Sequence, residues 1–214
     1  MLPPALRAWL GVIAGLAALM VVVLGIRYAG HGRPGMVDGW IQPTVDGVRP
    51  PWRRVALVLD FLGEPVGSML VIAALVTGCL LLRRPRAAVL VVVGVGIAVG
   101  TTTLLKHLVG RTIHGGYLSY PSGHTAFLTA LAVMAALLAT GRLGLGRTAG
   151  TLLVLGAALC AGAAMGWAQV ALGAHYPTDA LGGWCTALAV VPATAWTVDR
   201  TAERMANGGR WNRR

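Results

Sequence analysis

Long apolar runs separated by short polar segments dominate the chain. Six such runs cover about residues 9–28, 55 or 65–82, 87–105, 122–140, 148–172 and 179–198. Each run is close to the roughly 20 residues with which an α-helix crosses the hydrocarbon core of a bilayer. The pattern therefore predicts an all-α integral membrane bundle of six transmembrane helices.

Among the polar segments, one has the composition of a long loop. Segment 29–55 is rich in Gly, Pro, Asp and Arg without clear periodicity, which predicts a loop with room for a short interfacial helix near 52–59.

The second apolar run has an ill-defined start because Asp60 and Glu64 fall inside it. These two carboxylates could bind a polar headgroup, although a hydrated helix end is the simpler interpretation.

Composition supports a membrane protein and excludes a soluble domain. Of the 214 residues 56% are hydrophobic and 12% charged, and the mean hydropathy is +0.71. The apolar runs leave no room for a separate globular part, so residues 1–214 are expected to form a single membrane domain. The net charge of +11 sits in arginine clusters at the ends of the runs, which is typical of topology signals and not of nucleic-acid binding.

The distribution of basic residues also predicts an orientation. With six spans both termini lie on one side, and that side carries eleven basic residues against seven on the other. The positive-inside rule then places both termini in the cytoplasm. Segment 29–55 becomes an extracytoplasmic loop, and residues 199–214 become a basic cytoplasmic tail. In the cell membrane this arrangement opens the two loops discussed next on the extracytoplasmic side.

The first of these loops carries Lys106, the only lysine in the chain, and the sequence Pro121-Ser122-Gly123-His124. An ammonium at the mouth of an apolar helix is a site candidate. A serine before a long helix can cap it, and the first N–H groups of that helix can bind an anion such as phosphate. His124 is then placed to donate a proton to a leaving oxygen.

The second loop carries His175 and Asp179 within the sequence His175-Tyr176-Pro177-Thr178-Asp179. If Pro177 opens a helix, Asp179 can accept the Nδ1 proton of His175 and leave Nε2 free to attack phosphorus. Taken alone, each motif also has an ordinary explanation as a cap, an interfacial histidine or a lysine anchor. Their order and shared side are what favour a single site.

Together the three motifs resemble the type 2 phosphatidic acid phosphatase superfamily of membrane lipid phosphatases, whose pattern is K-x6-R-P, P-S-G-H and S-R-x5-H-x3-D. The likeness centres on residues 100–185. It implies phosphate binding by Lys106, Ser122 and Gly123, and acid catalysis by His124. It also implies attack by His175 through a phosphohistidine, with Asp179 orienting that histidine. The resemblance implies no metal and no other cofactor.

Two arginines of that pattern are missing. Ile113 and His114 stand where the first block has Arg-Pro, and Gln169 stands where the third has arginine. Neutral Gln169 can donate hydrogen bonds but lacks the charge and fork of a guanidinium. Arg111 is the best local substitute as a phosphate ligand, with His114 second. The loop arginines are further candidates to reach the site: Arg49, Arg53 and Arg54.

The sequence thus predicts a metal-independent phosphatase acting on a phosphomonoester or diphosphate of a phospholipid or polyprenyl lipid. The missing arginines favour one alternative, a phosphotransferase that passes the phosphoryl group to a hydroxyl acceptor. Another alternative is a catalytically weak lipid-binding protein. The expected partners are a phosphorylated lipid and the bilayer, without nucleic acid, and the sequence leaves open whether the chain forms a homo-oligomer.

Overall fold

A computed structural model describes residues 4–211 of the chain, with side chains for residues 5–205. After a short 3-10 turn at Pro4–Leu6, the described chain folds into eight helices and one hairpin. The helices are α1 Arg7–Tyr28, α2 Met36–Val45, α3 Trp52–Gly63, α4 Pro65–Leu81, α5 Pro85–Val109, α6 Gly123–Leu143, α7 Arg147–Ala171 and α8 Pro177–Trp211. The hairpin strands are β1 Thr112–Ile113 and β2 Tyr117–Leu118.

The all-α membrane bundle predicted from the apolar runs is confirmed. Among the described residues, five helices are individually long and apolar enough to cross a membrane: α1, α5, α6, α7 and α8. Helices α3 and α4 pass the same test only as a pair, bent by 68°. Counting that pair as one span gives six, the number that the sequence predicts.

The bend between α3 and α4 explains why the second apolar run has an ill-defined start. Pro65 opens α4, and Glu64 before it is extended, with φ −67° and ψ 156°. Proline lacks an N–H and disfavours the helical conformation of the residue that precedes it, so a break in the helix is favoured here. Asp60 therefore lies in the last turn of α3, and Glu64 lies at the break itself.

Large apolar side chains point outward along the spanning helices, in addition to those that fill the interior. Exposed examples are Leu19 and Ile26 on α1, Leu81 on α4 and Leu152 on α7. Such faces would be unfavourable in water but suit the hydrocarbon core of a bilayer.

Helix α6 lies at the centre of the bundle and packs against α5, α7 and α8. Its first turn is capped by Ser122, whose Oγ accepts from the backbone N–H of Thr125 at 3.3 Å, so the cap predicted from the sequence is confirmed. Close packing on α8 depends on Gly183, because a Cβ there would overlap the carbonyl oxygen of Ser122. The start of α6 is thus wedged against the second turn of α8.

Two features of the loops were not predicted. Segment 29–55, interpreted as an irregular loop, contains the helix α2, and the helix expected near 52–59 is the start of α3. Between α5 and α6 the chain forms a hairpin in which Ile113 pairs with Tyr117. Gly110, with φ +64°, ends α5 in the left-handed conformation that turns the chain into β1.

The C-terminal region also differs from its sequence interpretation. Helix α8 continues to Trp211, well past the predicted end of the sixth span near residue 198. The guanidinium of Arg200 lies over the ring of Trp196 at 4.7 Å, so the first tail arginine belongs to this helix. Residues 212–214, the end of the predicted basic tail, lie outside the described chain. The cytoplasmic location of the basic tail stays a prediction.

Replacing Gly183 with alanine should lower the free energy of unfolding by about 1–3 kcal/mol, because the added methyl group must push α8 away from Ser122. Gly156→Ala on α7 is the matched control, since a Cβ there meets nothing within 4 Å. Helix propensity predicts a gain of up to about 1 kcal/mol for the control. Thermal unfolding of both variants in detergent would check this, and equal stability would show that the contact is not tight.

Candidate active site

A backbone hydrogen bond joins the two loops that carry the predicted site residues. The N–H of Ser122 donates to the carbonyl oxygen of Asp179 at 2.9 Å. The start of α6 and the start of α8 are therefore adjacent, although their motifs are more than fifty residues apart in the sequence. This contact brings Ser122, Gly123 and His124 to the same end of the bundle as His175 and Asp179.

The N-terminus of α6 has the features of an anion site. Gly123 is the first residue of the helix, and the Oγ of buried Ser122 also accepts from the hydroxyl of Thr125 at 3.0 Å. The first N–H groups of a helix lack intrahelical partners and carry the positive end of the dipole. Lys106 is half-buried, and its Nζ donates to the carbonyl oxygen of Leu118 at 3.2 Å. It interacts electrostatically with His124 and Asp179.

His175 is buried, with 6% of its surface exposed, and lies beside Asp179. Its Nδ1 is 3.7 Å from Oδ2 of Asp179 and has no hydrogen-bond partner. That Oδ2 instead accepts from the backbone N–H of Tyr176 at 3.0 Å. The predicted pair is thus adjacent, at a separation longer than a hydrogen bond. Such contacts commonly tighten only when substrate is bound.

His124 faces two carboxylates. Its Nε2 is 3.6 Å from Oδ1 of Asp60 and 3.7 Å from Oε1 of Glu64, and it has no hydrogen-bond partner. The ring packs against Gly63, where a Cβ would overlap it. His124 also interacts electrostatically with His175, which places the two imidazoles in one neighbourhood. The α3–α4 break therefore contributes to the site, in addition to ending a helix.

Gln169, which stands where the family pattern has arginine, is buried and also contacts Asp60. Its Nε2 donates to Oδ1 of Asp60 at 2.7 Å. Its backbone carbonyl oxygen accepts from the N–H groups of Ala174 and His175, at 2.9 and 3.3 Å, and so holds the turn that carries the second histidine. The side-chain amide of Gln169 therefore already donates a hydrogen bond to the carboxylate of Asp60.

Arg111, predicted as a substitute phosphate ligand, is fully buried in a different set of contacts. One terminal nitrogen, Nη1, donates to Oδ1 of Asp179 at 2.6 Å and to Oγ1 of Thr178 at 2.7 Å. The other, Nη2, donates to Oδ2 of Asp38 at 2.6 Å. Both terminal nitrogens therefore bind protein oxygens, and the partner Asp38 was not predicted from the sequence.

The remaining phosphate-ligand candidates lie at the periphery. His114 is exposed, has φ +47° in the hairpin turn, and its Nε2 lies 2.7 Å from the carbonyl oxygen of Gly173. Ile113 is a buried strand residue. The loop arginines are exposed: Arg49, Arg53 and Arg54.

Tyr120 fixes the segment that precedes α6. Its hydroxyl donates to the carbonyl oxygen of Val21 at 2.7 Å, and its ring fills the space opposite Gly182. Burial raises the pKa of the Tyr120 phenol well above its ordinary value. The neutral phenol is therefore a permanent donor to α1, which ties the first span to the anion site.

One group of described residues has donors suited to a cation. Ligand atoms of Asp60, Glu64 and His124 all lie within 4.8 Å of one another. Two carboxylates and an imidazole could hold a divalent ion.

The fold and site define a multi-pass membrane protein with two histidines beside a helix N-terminus that can bind an anion. The family model of the PAP2 superfamily matches residues 87–203, more than half of the chain. The chain therefore belongs to the PAP2 superfamily, which confirms the resemblance seen in its motifs.

A solved structure shares this fold. It is the first transmembrane PAP2 type phosphatidylglycerolphosphate phosphatase from Bacillus subtilis, with a TM-score of 0.67 and 21% sequence identity. The match covers 89% of this chain and 96% of that chain. No curated protein matches the sequence significantly. The family and the fold together support a membrane lipid phosphatase.

Proposed function

We propose that this protein removes a phosphate group from a membrane lipid by way of a phosphohistidine on His175. The observation that carries the proposal is the convergence of His124, His175 and Lys106 around the N-terminus of α6. A nucleophile, an acid and an anion site at the same end of the bundle are the parts that phosphoryl transfer requires.

In the first step the Nε2 of His175 attacks phosphorus while the bond from phosphorus to the lipid oxygen breaks. The leaving oxygen takes the bonding electron pair, and a proton from His124 neutralises it. Asp60 and Glu64, at 3.6 and 3.7 Å from Nε2 of His124, interact favourably with the protonated ring. The carboxylate of Asp179 stabilises the charge that develops on His175.

In the second step water attacks the phosphohistidine, and the bond between phosphorus and Nε2 breaks. His124, now neutral, accepts a proton from that water, so inorganic phosphate leaves and both histidines return to their starting states. During both steps the N–H groups at the start of α6 and the ammonium of Lys106 stabilise the phosphoryl oxygens. Ser122 shapes this cradle through its cap, and Gly123 lets an anion approach the backbone.

The phosphate site has fewer cations than the family pattern provides. Gln169 is bound to Asp60, and Ile113 is an apolar strand residue. Losing charged clamps can cost several kcal/mol of transition-state stabilisation, so we expect slow turnover or a narrow substrate range. This also keeps phosphotransfer to a lipid or sugar hydroxyl as the alternative. The site would open on the extracytoplasmic side of the cell membrane.

Replacing His175 or His124 with alanine, or Asp179 with asparagine, should each lower kcat by at least about a hundredfold, as expected for a nucleophile, an acid and the group that orients the nucleophile. Phosphate release from phosphatidic acid and farnesyl diphosphate by the purified protein would measure this. His107→Ala, an exposed histidine on α5, is the control. A near-normal rate for any of the three would remove that residue from the mechanism.

Hydrolysis and transfer can be separated in the same assay. If water is the acceptor, release of inorganic phosphate should not depend on an added lipid hydroxyl such as diacylglycerol. If phosphate release is negligible without the acceptor, and a phosphorylated acceptor forms when the acceptor is added, the protein is instead a phosphotransferase. If His175→Ala left the cellular role of the protein intact, a lipid-binding protein would be the better description.

Chelation provides an independent test of the histidine mechanism. Because no step requires a metal, EDTA should leave kcat unchanged. Loss of activity with EDTA and recovery with Mg²⁺ or Mn²⁺ would contradict this. Asp60→Asn would then show whether the carboxylates beside His124 are the ligands, since that variant should no longer recover.

A further inference from the structure

Asp38 lies at the centre of a buried polar network, and the reaction described above assigns this residue no role. This residue of α2 is completely buried, and its two oxygens together accept from three residues. Oδ1 accepts from the backbone N–H of Thr178 at 2.9 Å and from the Thr178 hydroxyl at 2.8 Å. Oδ2 accepts from the N–H of Gly35 at 2.9 Å and from Nη2 of Arg111 at 2.6 Å.

These contacts make one carboxylate a cap for two helices. Gly35 precedes the first residue of α2, and Thr178 is in the first turn of α8. Carboxylates at helix N-termini satisfy N–H groups that lack partners and interact favourably with the dipole. Asp38 therefore fixes the start of α8, the helix on which Asp179 lies.

Arg111 connects this cap to the catalytic carboxylate. Its guanidinium bridges Asp38 and Asp179, at 2.6 Å from each, and all three side chains are fully inaccessible to water. Its carbon Cζ lies 4.0 Å from the ring centre of Tyr28 and 4.5 Å from that of Tyr176, so the guanidinium also packs against two aromatic rings. The guanidinium has little freedom to turn toward a phosphate.

The charges within the network explain why two carboxylates are needed. A guanidinium paired only with Asp179 would neutralise the carboxylate that faces His175. With Asp38 included, two negative charges surround one positive charge, and the network keeps a net negative charge beside the imidazole. In a buried setting such a charge interacts strongly with the ring when it becomes cationic during attack.

We propose that Asp38 is a positioning residue of the active site. It acts through Arg111 and Thr178 to hold the Asp179 carboxylate in place and to keep a net negative charge beside His175. This inference rests on the proposed function, in which Asp179 serves His175. It assigns Arg111 to the support of Asp179 and away from the phosphate. Substrate binding should therefore be largely independent of both residues, whereas the chemical step should depend on them.

The test compares Asp38→Asn with Asp46→Asn, an exposed aspartate at the end of the same helix. Misplacing a catalytic group by about 1 Å can cost on the order of a hundredfold. Asp38→Asn should thus lower kcat for phosphatidic acid at least about tenfold with KM changed less than about threefold. Asp46→Asn should match the wild type. A KM effect alone, or no effect, would overturn the proposal.

A double variant separates positioning from general stabilisation. If Asp38 acts through Asp179, adding Asp38→Asn to Asp179→Asn should lower kcat by less than about twofold further, because residues that act as a unit are not additive. Fully multiplied losses would show that Asp38 acts independently of Asp179. If Asp38→Asn does not fold, Thr178→Val removes the hydroxyl link at nearly constant shape and should show the same pattern.

Arg111→Lys distinguishes the two roles of that residue. A lysine keeps the charge but cannot bridge two carboxylates. If Arg111 supports Asp179, the Arg111→Lys variant should have a lower kcat and unchanged inhibition by inorganic phosphate. If Arg111 is a phosphate ligand, inorganic phosphate should inhibit the variant more weakly. If the wild-type protein released no phosphate, the proposed function would fail. If it did, and Asp38→Asn had full activity, only the positioning role would fail.

Discussion

A guanidinium without access to water constrains the whole end of the bundle that carries the site. Burying an isolated charge costs several kcal/mol, so Arg111 can be buried only where partners meet it. Those partners come from α2 and α8, and aromatic rings come from α1 and the loop before α8. The segment between the first two spans is therefore held against the bundle, although its composition resembles that of an unstructured loop.

The same end of the protein has an unusual charge distribution for phosphate chemistry. Positive charge near the anion site comes from Lys106 and from the dipole of α6, and the position of a family arginine holds the neutral Gln169. Asp60 and Glu64 bring negative charge to within 4 Å of His124. Phosphate recognition would thus depend more on oriented backbone N–H groups than on guanidinium forks. Such a site is more sensitive to the exact placement of the first turn of α6.

Much of the fold followed from local pattern. The apolar runs predicted the bundle because helices in lipid must satisfy their own backbone groups and be long enough to span it. The cap by Ser122 could be predicted because its partner lies three residues away. Likewise, the sequence predicted that Asp179 is close to His175, one helical turn apart, but not that the two would be 3.7 Å apart without a hydrogen bond.

The contacts that escaped prediction join residues that are distant in sequence. Asp38 and Arg111 are 73 positions apart, and Asp60 and Gln169 are 109 apart. No periodicity relates such pairs, and each residue alone has an ordinary explanation as a loop charge or a helix end. Arg111 in particular was predicted to be a phosphate ligand because the sequence shows its spacing from Lys106. The sequence does not show that Asp38 is its buried partner. Only tertiary packing distinguishes these roles.

Asp179 contributes to the site twice, with its backbone and with its side chain. Its carbonyl oxygen receives the N–H of Ser122, and its carboxylate lies next to His175. The first turn of α6 and His175 are thus mechanically coupled through Asp179, since a small rotation of α8 would displace both together. A substitution far along α8, facing lipid and touching no site residue, could therefore slow the enzyme by misaligning both at once.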